Sequence, residues 1–193
     1  MSALILGLLM FLGMHSARLF SDGWRSQVIS QRGPGAWIGL YSVVSLVGFG
    51  LIDWGYGQAR LAPQVLWASP LWTRHLAALA MLLALVLLVA AYVPGNRIKA
   101  RLHHPMVLAV KVWAFAHLLA NNTLADALLF GSFALWAVLD FRSARQRDRA
   151  AGTVYPVGKT GATVVAVVLG AALWAVLAFW LHALLFGVRP FGG

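Results

Sequence analysis

The chain has 193 residues, of which 61% are hydrophobic and 10% charged, and its formal net charge is +10. This composition differs from that of a soluble domain and predicts a protein that crosses a membrane several times. Cysteine is absent, which excludes disulfides, iron–sulfur clusters and the covalent attachment of a c-type haem.

Six apolar runs predict the helices of this protein. In chain order they cover residues 2–20, 35–52, 71–92, 106–120, 124–141 and 161–186. Most of them reach the roughly 17–25 residues that a helix needs to cross a bilayer. The fourth is short and contains Lys111, so five spans are the alternative to six. The sequence therefore predicts an all-α, polytopic bundle of about six transmembrane helices, forming a single membrane domain over residues 1–193.

The basic side chains indicate how these helices are oriented. No basic residue precedes the first run, so we interpret it as a retained helix and not as a signal peptide. The loops after the first, third and fifth runs hold 11 Lys and Arg residues, whereas the opposite side holds 3. The positive-inside rule then places both termini outside. Because these charges lie in short loops beside membrane spans, the expected partner is the lipid bilayer and not nucleic acid.

Acidic residues are few and lie away from the predicted helix centres. There are five, all aspartates, in loops or at helix ends. A pair of catalytic carboxylates or a carboxylate proton relay through the bilayer is therefore not expected. Thr123 and Asp126, in the short connection between the fourth and fifth runs, have the spacing of a capping box. This spacing predicts a structural role for Asp126.

Histidine is the ionisable residue that recurs inside the predicted helices. A single histidine in a membrane helix most often braces a neighbouring helix through a hydrogen bond. Here four predicted helices carry one each, and a neutral imidazole is a good axial ligand for haem iron within a helical bundle. These four are His15, His75, His117 and His182, and the remaining two, His103 and His104, lie in an inner loop. The pattern therefore favours a haem held by two of the membrane histidines.

Depth in the membrane suggests which histidines could face each other. With a rise of about 1.5 Å per residue, His75, His117 and His182 fall at similar depths near the outer surface. His15 lies nearer the inner surface, where Arg18, one turn on, could pair with a haem propionate. Lys111 either extends to the inner surface or serves as a second counter-ion for a propionate. We therefore predict His117 as one axial ligand, with His15 or His75 opposite it and His182 as the alternative.

Several motifs together resemble the NnrU family of bacterial membrane proteins. They are GMHSARLF at 13–20, YSVVSLVGFGLIDWGYG at 41–57, HHPMVLAVKVWAFAHLLANN at 103–122, LLFGSFALWAVLD at 128–140 and HALLFGVRP at 182–190. The resemblance covers nearly the whole chain. It implies a multi-pass protein of the bacterial inner (cytoplasmic) membrane that is linked to denitrification and nitric oxide metabolism. The implied partners are components of nitrite or nitric oxide reductases.

NnrU proteins are similar to plant zeta-carotene isomerase, a membrane enzyme that uses haem b to isomerise a cis double bond. The histidine in the first conserved helix of the isomerase matches His15, and the histidine in its Ala-His-(Leu/Thr)-Leu segment matches His117. A further histidine at the start of its third helix corresponds to His75. The resemblance therefore implies haem b with His15 and His117 as axial ligands. Where the isomerase has a cysteine this chain has Ala114, so no thiol ligand carries over.

Three functions agree with these features. The first is a haem b protein with redox or isomerase-like activity on a small gas-like or lipophilic molecule. The second is a non-enzymatic membrane factor that supports the assembly or function of nitrogen-oxide reductases. The third is a membrane methyltransferase that uses S-adenosylmethionine, because RLHHPM resembles the Arg-His-Pro motif of isoprenylcysteine-type methyltransferases. In this segment Pro105 is also explained as the first residue of a helix.

Overall fold

The computed structural model describes residues 1–191. Within these residues every regular secondary-structure element is a helix. The helices are α1 (Ser2–His15), α2 (Ala17–Phe20), α3 (Asp22–Leu61), α4 (Leu71–Tyr92), α5 (Arg97–Leu102), α6 (Pro105–Ala120), α7 (Leu124–Ala150), α8 (Thr160–Val176) and α9 (His182–Phe186), with a π-helical turn at Leu177–Leu181. The predicted all-α fold is confirmed.

Four helical stretches are long and apolar enough to cross a membrane. They are α3, α4, α7 and the run Thr160–Phe186, in which the π-helical turn joins α8 to α9. Two further apolar helices, α1 and α6, are shorter. The chain is therefore a multi-pass membrane protein, as its composition predicts. The count of six spans and the outer position of both termini stay predictions.

Two helices differ from the apolar runs in an informative way. The first run is divided, because α1 ends at His15 and α2 begins after Ser16. The second run lies within α3, which begins at Asp22, 13 residues before the predicted start of that run at residue 35. At Gly33 the backbone has φ 82° and ψ 163°, a conformation that essentially only glycine adopts. Gly33 thus divides α3 into a polar arm, residues 22–32, and an apolar arm, residues 34–61.

The chain forms two compact units. The first unit comprises Met1–Ala68 with Asn122–Asp140, and the second comprises Ser69–Asn121 with the chain from Phe141 onward. The long helix α7 contributes its first part to one unit and its last part to the other.

In the first unit α1 and α3 pack closely because glycines line their contact. A methyl group added to Gly7 would lie 2.6 Å from the backbone nitrogen of Ile52, and one added to Gly48 would lie 2.8 Å from that of Phe11. Gly55 is in equally close contact with the backbone of Leu4. Small residues are the usual means by which membrane helices approach each other, since lipid supplies no hydrophobic drive for the contact.

The ends of α3 and α7 meet around Asp126. The Thr123 backbone N–H donates to Asp126 Oδ2 at 2.9 Å, and the Asp126 N–H donates to Thr123 Oγ1 at 3.3 Å, so the predicted capping box is confirmed. The Tyr56 hydroxyl also donates to Asp126 Oδ1 at 2.5 Å. Asp126 is therefore a buried structural carboxylate that fastens α3 to α7.

In the second unit α4 packs against both α6 and α8. Gly170 of α8 lies directly against the backbone of Val86, and Trp174 Nε1 donates to the Ala78 carbonyl at 3.0 Å. The buried side chain of Asn96 accepts from Lys99 N and donates to the carbonyls of Ala90 and Val93. Because Asn96 satisfies the turn after α4 and the start of α5, it joins these two helices.

The glycine contact in the first unit can be tested with a matched pair of substitutions. Gly48→Ala forces a methyl group against the backbone of α1, whereas Gly50→Ala, on the same helix, meets open space. We expect Gly48→Ala to lower the free energy of unfolding by about 1–3 kcal/mol relative to Gly50→Ala, the usual cost of overpacking. Chemical unfolding of both variants in the same detergent measures the difference. Equal stability of the two variants would contradict the close helix contact.

Candidate functional site

His15 ends α1 in the first unit and lies in a cluster of aromatic rings. Its Nδ1 donates to the Phe11 carbonyl at 2.7 Å, and its ring stacks on that of Phe11 with centroids 4.1 Å apart. The ring of Tyr41 lies 5.0 Å away, and that of Trp136 lies 6.0 Å away, edge to face. We call these four residues the His15 aromatic cluster. It holds the half-buried imidazole in one orientation.

One polar atom in the His15 aromatic cluster has no partner. Trp136 Nε1 is buried and makes no hydrogen bond to any group in residues 1–191. A buried N–H without an acceptor costs about 1–3 kcal/mol, and such groups call for an explanation. The cluster therefore presents a hydrogen-bond donor beside the imidazole, available to an acceptor on a bound molecule. Arg18, one turn beyond His15, is exposed and forms no ion pair with any other described residue.

His117 lies in the last turn of α6 in the second unit. Its Nδ1 donates to the Trp113 carbonyl at 2.9 Å, and the Trp113 ring lies 5.2 Å away. Ala114 and Ala116 beside it are fully buried. The same turn is closed by Asn121, whose backbone and side-chain N–H groups both donate to the His117 carbonyl.

The two histidines share one tautomer. A carbonyl oxygen only accepts, so each Nδ1 must carry the proton, and the neutral ring then has its lone pair on Nε2. Metal-binding histidines are oriented by the same kind of bond from the other ring nitrogen. In the neutral form of each ring, Nε2 is therefore the nitrogen that carries the lone pair.

The other predicted site residues have different surroundings, all in the second unit. His75 is exposed in the second turn of α4. His182 Nδ1 donates to the Val188 carbonyl at 2.7 Å, which closes the end of α9. Lys111 is exposed on α6. None of these three side chains has the enclosed ring environment of His15. Residues 1–191 contain no group of three or more His, Cys, Asp or Glu side chains that could hold a bare metal ion.

A second polar cluster, which sequence analysis did not detect, is formed around Asp148 in the second unit. Asp148 Oδ2 accepts from His104 Nε2 at 2.7 Å and from the Tyr155 hydroxyl at 2.9 Å. The ring of His103 stacks on that of Tyr155, with centroids 4.0 Å apart and planes 11° apart. The Arg145 guanidinium donates to His103 Nδ1. We call these five residues the Asp148 cluster.

Backbone strain positions the two histidines of the Asp148 cluster. His103 has φ 68° and ψ −48°, and the His104 N–H donates to the Leu102 carbonyl at 2.8 Å. Together these are the signature of the rare, strained form of the γ-turn. Strain of this kind costs about 1–3 kcal/mol and persists only where the surroundings enforce it. Here the stacking on Tyr155 and the bond to Asp148 provide that enforcement.

The sequence holds only a weak signal for this cluster. The paired histidines before a proline are visible, but Asp148 and Tyr155 lie more than 40 residues further along the chain. Burial, and the hydrogen bond to the Asp148 carboxylate, raise the pKa of Tyr155 above its usual value near 10. Its hydroxyl is therefore a donor throughout the neutral range.

The comparison with known families covers almost the entire chain. The family model described as NnrU protein matches residues 3–190. The chain belongs to the NnrU family. No curated protein and no solved structure matches it. Membership of the family therefore rests on the match to the family model over residues 3–190.

Tyr155→Phe tests the Asp148 cluster in this NnrU-family protein. The substitution removes one donor to Asp148 and keeps the stacked ring, so we expect the melting temperature at pH 8 to fall by about 2 °C. Tyr92→Phe, at an exposed position at the end of α4, is the matched control and should change little. Because the pKa of Tyr155 is raised on folding, its stabilisation is present below about pH 10 and is lost as the hydroxyl ionises at higher pH. The melting temperatures of the wild type and of Tyr155→Phe, plotted against pH, should therefore converge in strongly alkaline buffer. A difference that stays constant with pH would contradict the hydrogen bond to Asp148.

Proposed function

We propose that this membrane protein binds haem b non-covalently through its membrane histidines. His15 of the first unit or His117 of the second would hold the group, and His75 and His182 are the further candidates. The observation that carries the proposal is the His15 aromatic cluster. An imidazole with its lone pair on Nε2 lies beside a buried Trp136 N–H that lacks an acceptor. Such an arrangement suits a bound group with a metal and an acceptor atom.

The side chains present fit the chemistry of a haem. Its porphyrin supplies four ligands to the iron, so the absence of a three-residue metal group among the described residues is no obstacle. In the first unit His15 would hold the iron and Arg18 would pair with a propionate, and in the second unit His117 and Lys111 would take these roles. The aromatic rings around His15 would keep water from the ligand. When bound, haem b would supply redox or Lewis-acid chemistry to a small gas-like or lipophilic molecule.

Membership of the NnrU family supports a place for this activity in denitrification and nitric oxide metabolism, at the bacterial inner membrane. We therefore propose nitrite or nitric oxide reductase components as its partners. The alternative within the same setting is a non-enzymatic factor for these reductases, in which the carbonyl bonds of His15 and His117 only brace their helices.

The visible spectrum of detergent-purified protein, expressed with adequate haem supply, separates these two functions. Haem binding predicts a Soret band that His117→Ala or His15→Ala abolishes or converts from low spin to high spin. His103→Asn, outside the membrane helices and compatible with positive φ, is the control and should keep the band. His75→Ala identifies whether that residue takes the place of one ligand. A folded protein that stays colourless after haem reconstitution would contradict the haem proposal and favour the accessory function.

Trp136→Phe adds a control that does not depend on the ligands themselves. If the unpartnered N–H serves a bound group, this variant should lose about tenfold in haem affinity, the worth of one hydrogen bond made in a buried site. The haem-free variant should be at least as stable as the wild type, because an unsatisfied buried donor has been removed. Unchanged affinity would show that the donor serves no haem.

The Asp148 cluster favours a second candidate function, methyl transfer from S-adenosylmethionine. His104 precedes Pro105 in the Arg-His-Pro-like segment, and Asp148 now provides the acidic partner for its imidazole. Such a pair suits acid–base work at the membrane surface. Isothermal titration with S-adenosylmethionine tests this candidate. Saturable heat that His104→Ala abolishes would support it, and absence of heat at millimolar concentration would dismiss it.

A further inference from the structure

The bend in α3 forms a partly open cavity of about 380 Å³. The polar arm, residues 22–32, and the apolar arm, residues 34–61, meet at Gly33 and form its two walls. The cavity lies entirely within the first unit and shares no residue with the His15 aromatic cluster. The polar arm contributes Trp24, Gln27, Val28, Gln31 and Arg32, and the apolar arm contributes Ala36 and Leu40.

The residues of each wall form one helix face. Positions 24, 27, 28, 31 and 32 follow the spacing of a single stripe along a helix, and positions 36 and 40 are one turn apart. One wall therefore presents a cation, two amides, an indole and the aliphatic Val28, while the other presents only aliphatic carbon. A ligand that fits both walls must be amphipathic.

The polar wall has hydrogen-bonding groups that no part of residues 1–191 satisfies. Arg32 forms no ion pair or hydrogen bond there, and neither do the side-chain amides of Gln27 and Gln31. Arg25, on the same arm but outside the cavity, differs: it pairs with Asp22 at 3.4 Å and lies over the Trp37 ring. The charge that faces the cavity is therefore the one without a protein partner.

The position of the bend relative to the membrane identifies the source of such a ligand. The apolar arm of α3 is long and apolar enough to span a membrane, and the bend lies at its start, where the polar arm carries Arg25 and Arg32. Trp24 and Trp37 pack together across the bend. Basic loops face the leaflet whose head groups are anionic, and tryptophans mark the head-group level. We therefore expect the cavity to open at the level of the lipid phosphates.

We infer that the bend of α3 is a binding site for one anionic glycerophospholipid. Its phosphate contacts the Arg32 guanidinium and the amides of Gln27 and Gln31, because guanidinium and N–H groups are the donors that recognise phosphate. One acyl chain runs along Ala36 and Leu40 and continues into the bilayer. A zwitterionic lipid offers the same chain and phosphate but carries a compensating cation, so the site selects a net negative head group.

Lipid titration of the detergent-purified full chain tests the inference. Binding of short-chain phosphatidylglycerol, followed by native mass spectrometry, should be about tenfold tighter than that of phosphatidylcholine with the same chains. Arg32→Gln should remove this preference, a loss of about tenfold for one charge-assisted hydrogen bond. Arg25→Gln, the matched control on the same arm, should keep it. Ala36→Phe, which fills the apolar end of the cavity, should weaken the binding of both lipids.

Several results would overturn the site. One is equal affinity for phosphatidylglycerol and phosphatidylcholine, and another is an equal loss of lipid affinity in Arg32→Gln and Arg25→Gln. The others are displacement of the lipid by inorganic phosphate at the same concentration, and occupation of the bend by a second copy of the chain. Circular dichroism establishes that each variant is folded. If Arg32→Gln does not fold, Arg32→Lys takes its place. Because lysine keeps the charge, Arg32→Lys should retain the preference for phosphatidylglycerol, and loss of that preference in Arg32→Lys would also overturn the site.

Discussion

Inside a bilayer no water is present to bond with backbone or side-chain polar groups, so each such group must find a partner within the protein. This constraint explains why the described chain is helical and how its helices use their few polar side chains. His15 and His117 each donate to the carbonyl four residues earlier, and Trp174 donates to a carbonyl of a neighbouring helix. Among the described residues, Trp136 Nε1, Ser45 Oγ and Ser69 Oγ are the buried side-chain atoms that depart from this rule.

Glycine acts on this protein in two physically different ways. Gly7, Gly48 and Gly55 let the backbones of α1 and α3 approach more closely than any larger residue permits. That contact holds the end of α1, and hence His15, beside Tyr41 of α3. Gly33 instead supplies a backbone conformation closed to other residues, and so turns the polar start of α3 back over its apolar part. The first use positions the imidazole of His15, and the second creates the bend in α3.

The Asp148 cluster and the histidines of the apolar helices satisfy their polar groups in different ways. Outside the apolar spans, strain at His103 is balanced by stacking and by shared hydrogen bonds to one carboxylate. Within the apolar helices, His15 and His117 each donate from Nδ1 to a carbonyl of their own helix. The Asp148 cluster thus groups its acid–base side chains outside the apolar spans, where water is available to exchange protons, whereas His15 and His117 lie in apolar helices.

The sequence alone determined the features that depend on local composition and spacing. Apolar runs predicted the all-α membrane fold, Thr123 and Asp126 predicted their capping box, and the motifs around His15 and His117 indicated the NnrU family. Only the tertiary structure decided that Tyr56 joins Asp126, that Trp136 approaches His15, and that Asp148 and Tyr155 join His103 and His104. The polar arm of α3 also escaped prediction, because a hydropathy pattern detects apolar helices and not the interfacial helix before Gly33. Contacts between residues distant in sequence leave no local periodicity, since they arise from the packing of whole helices.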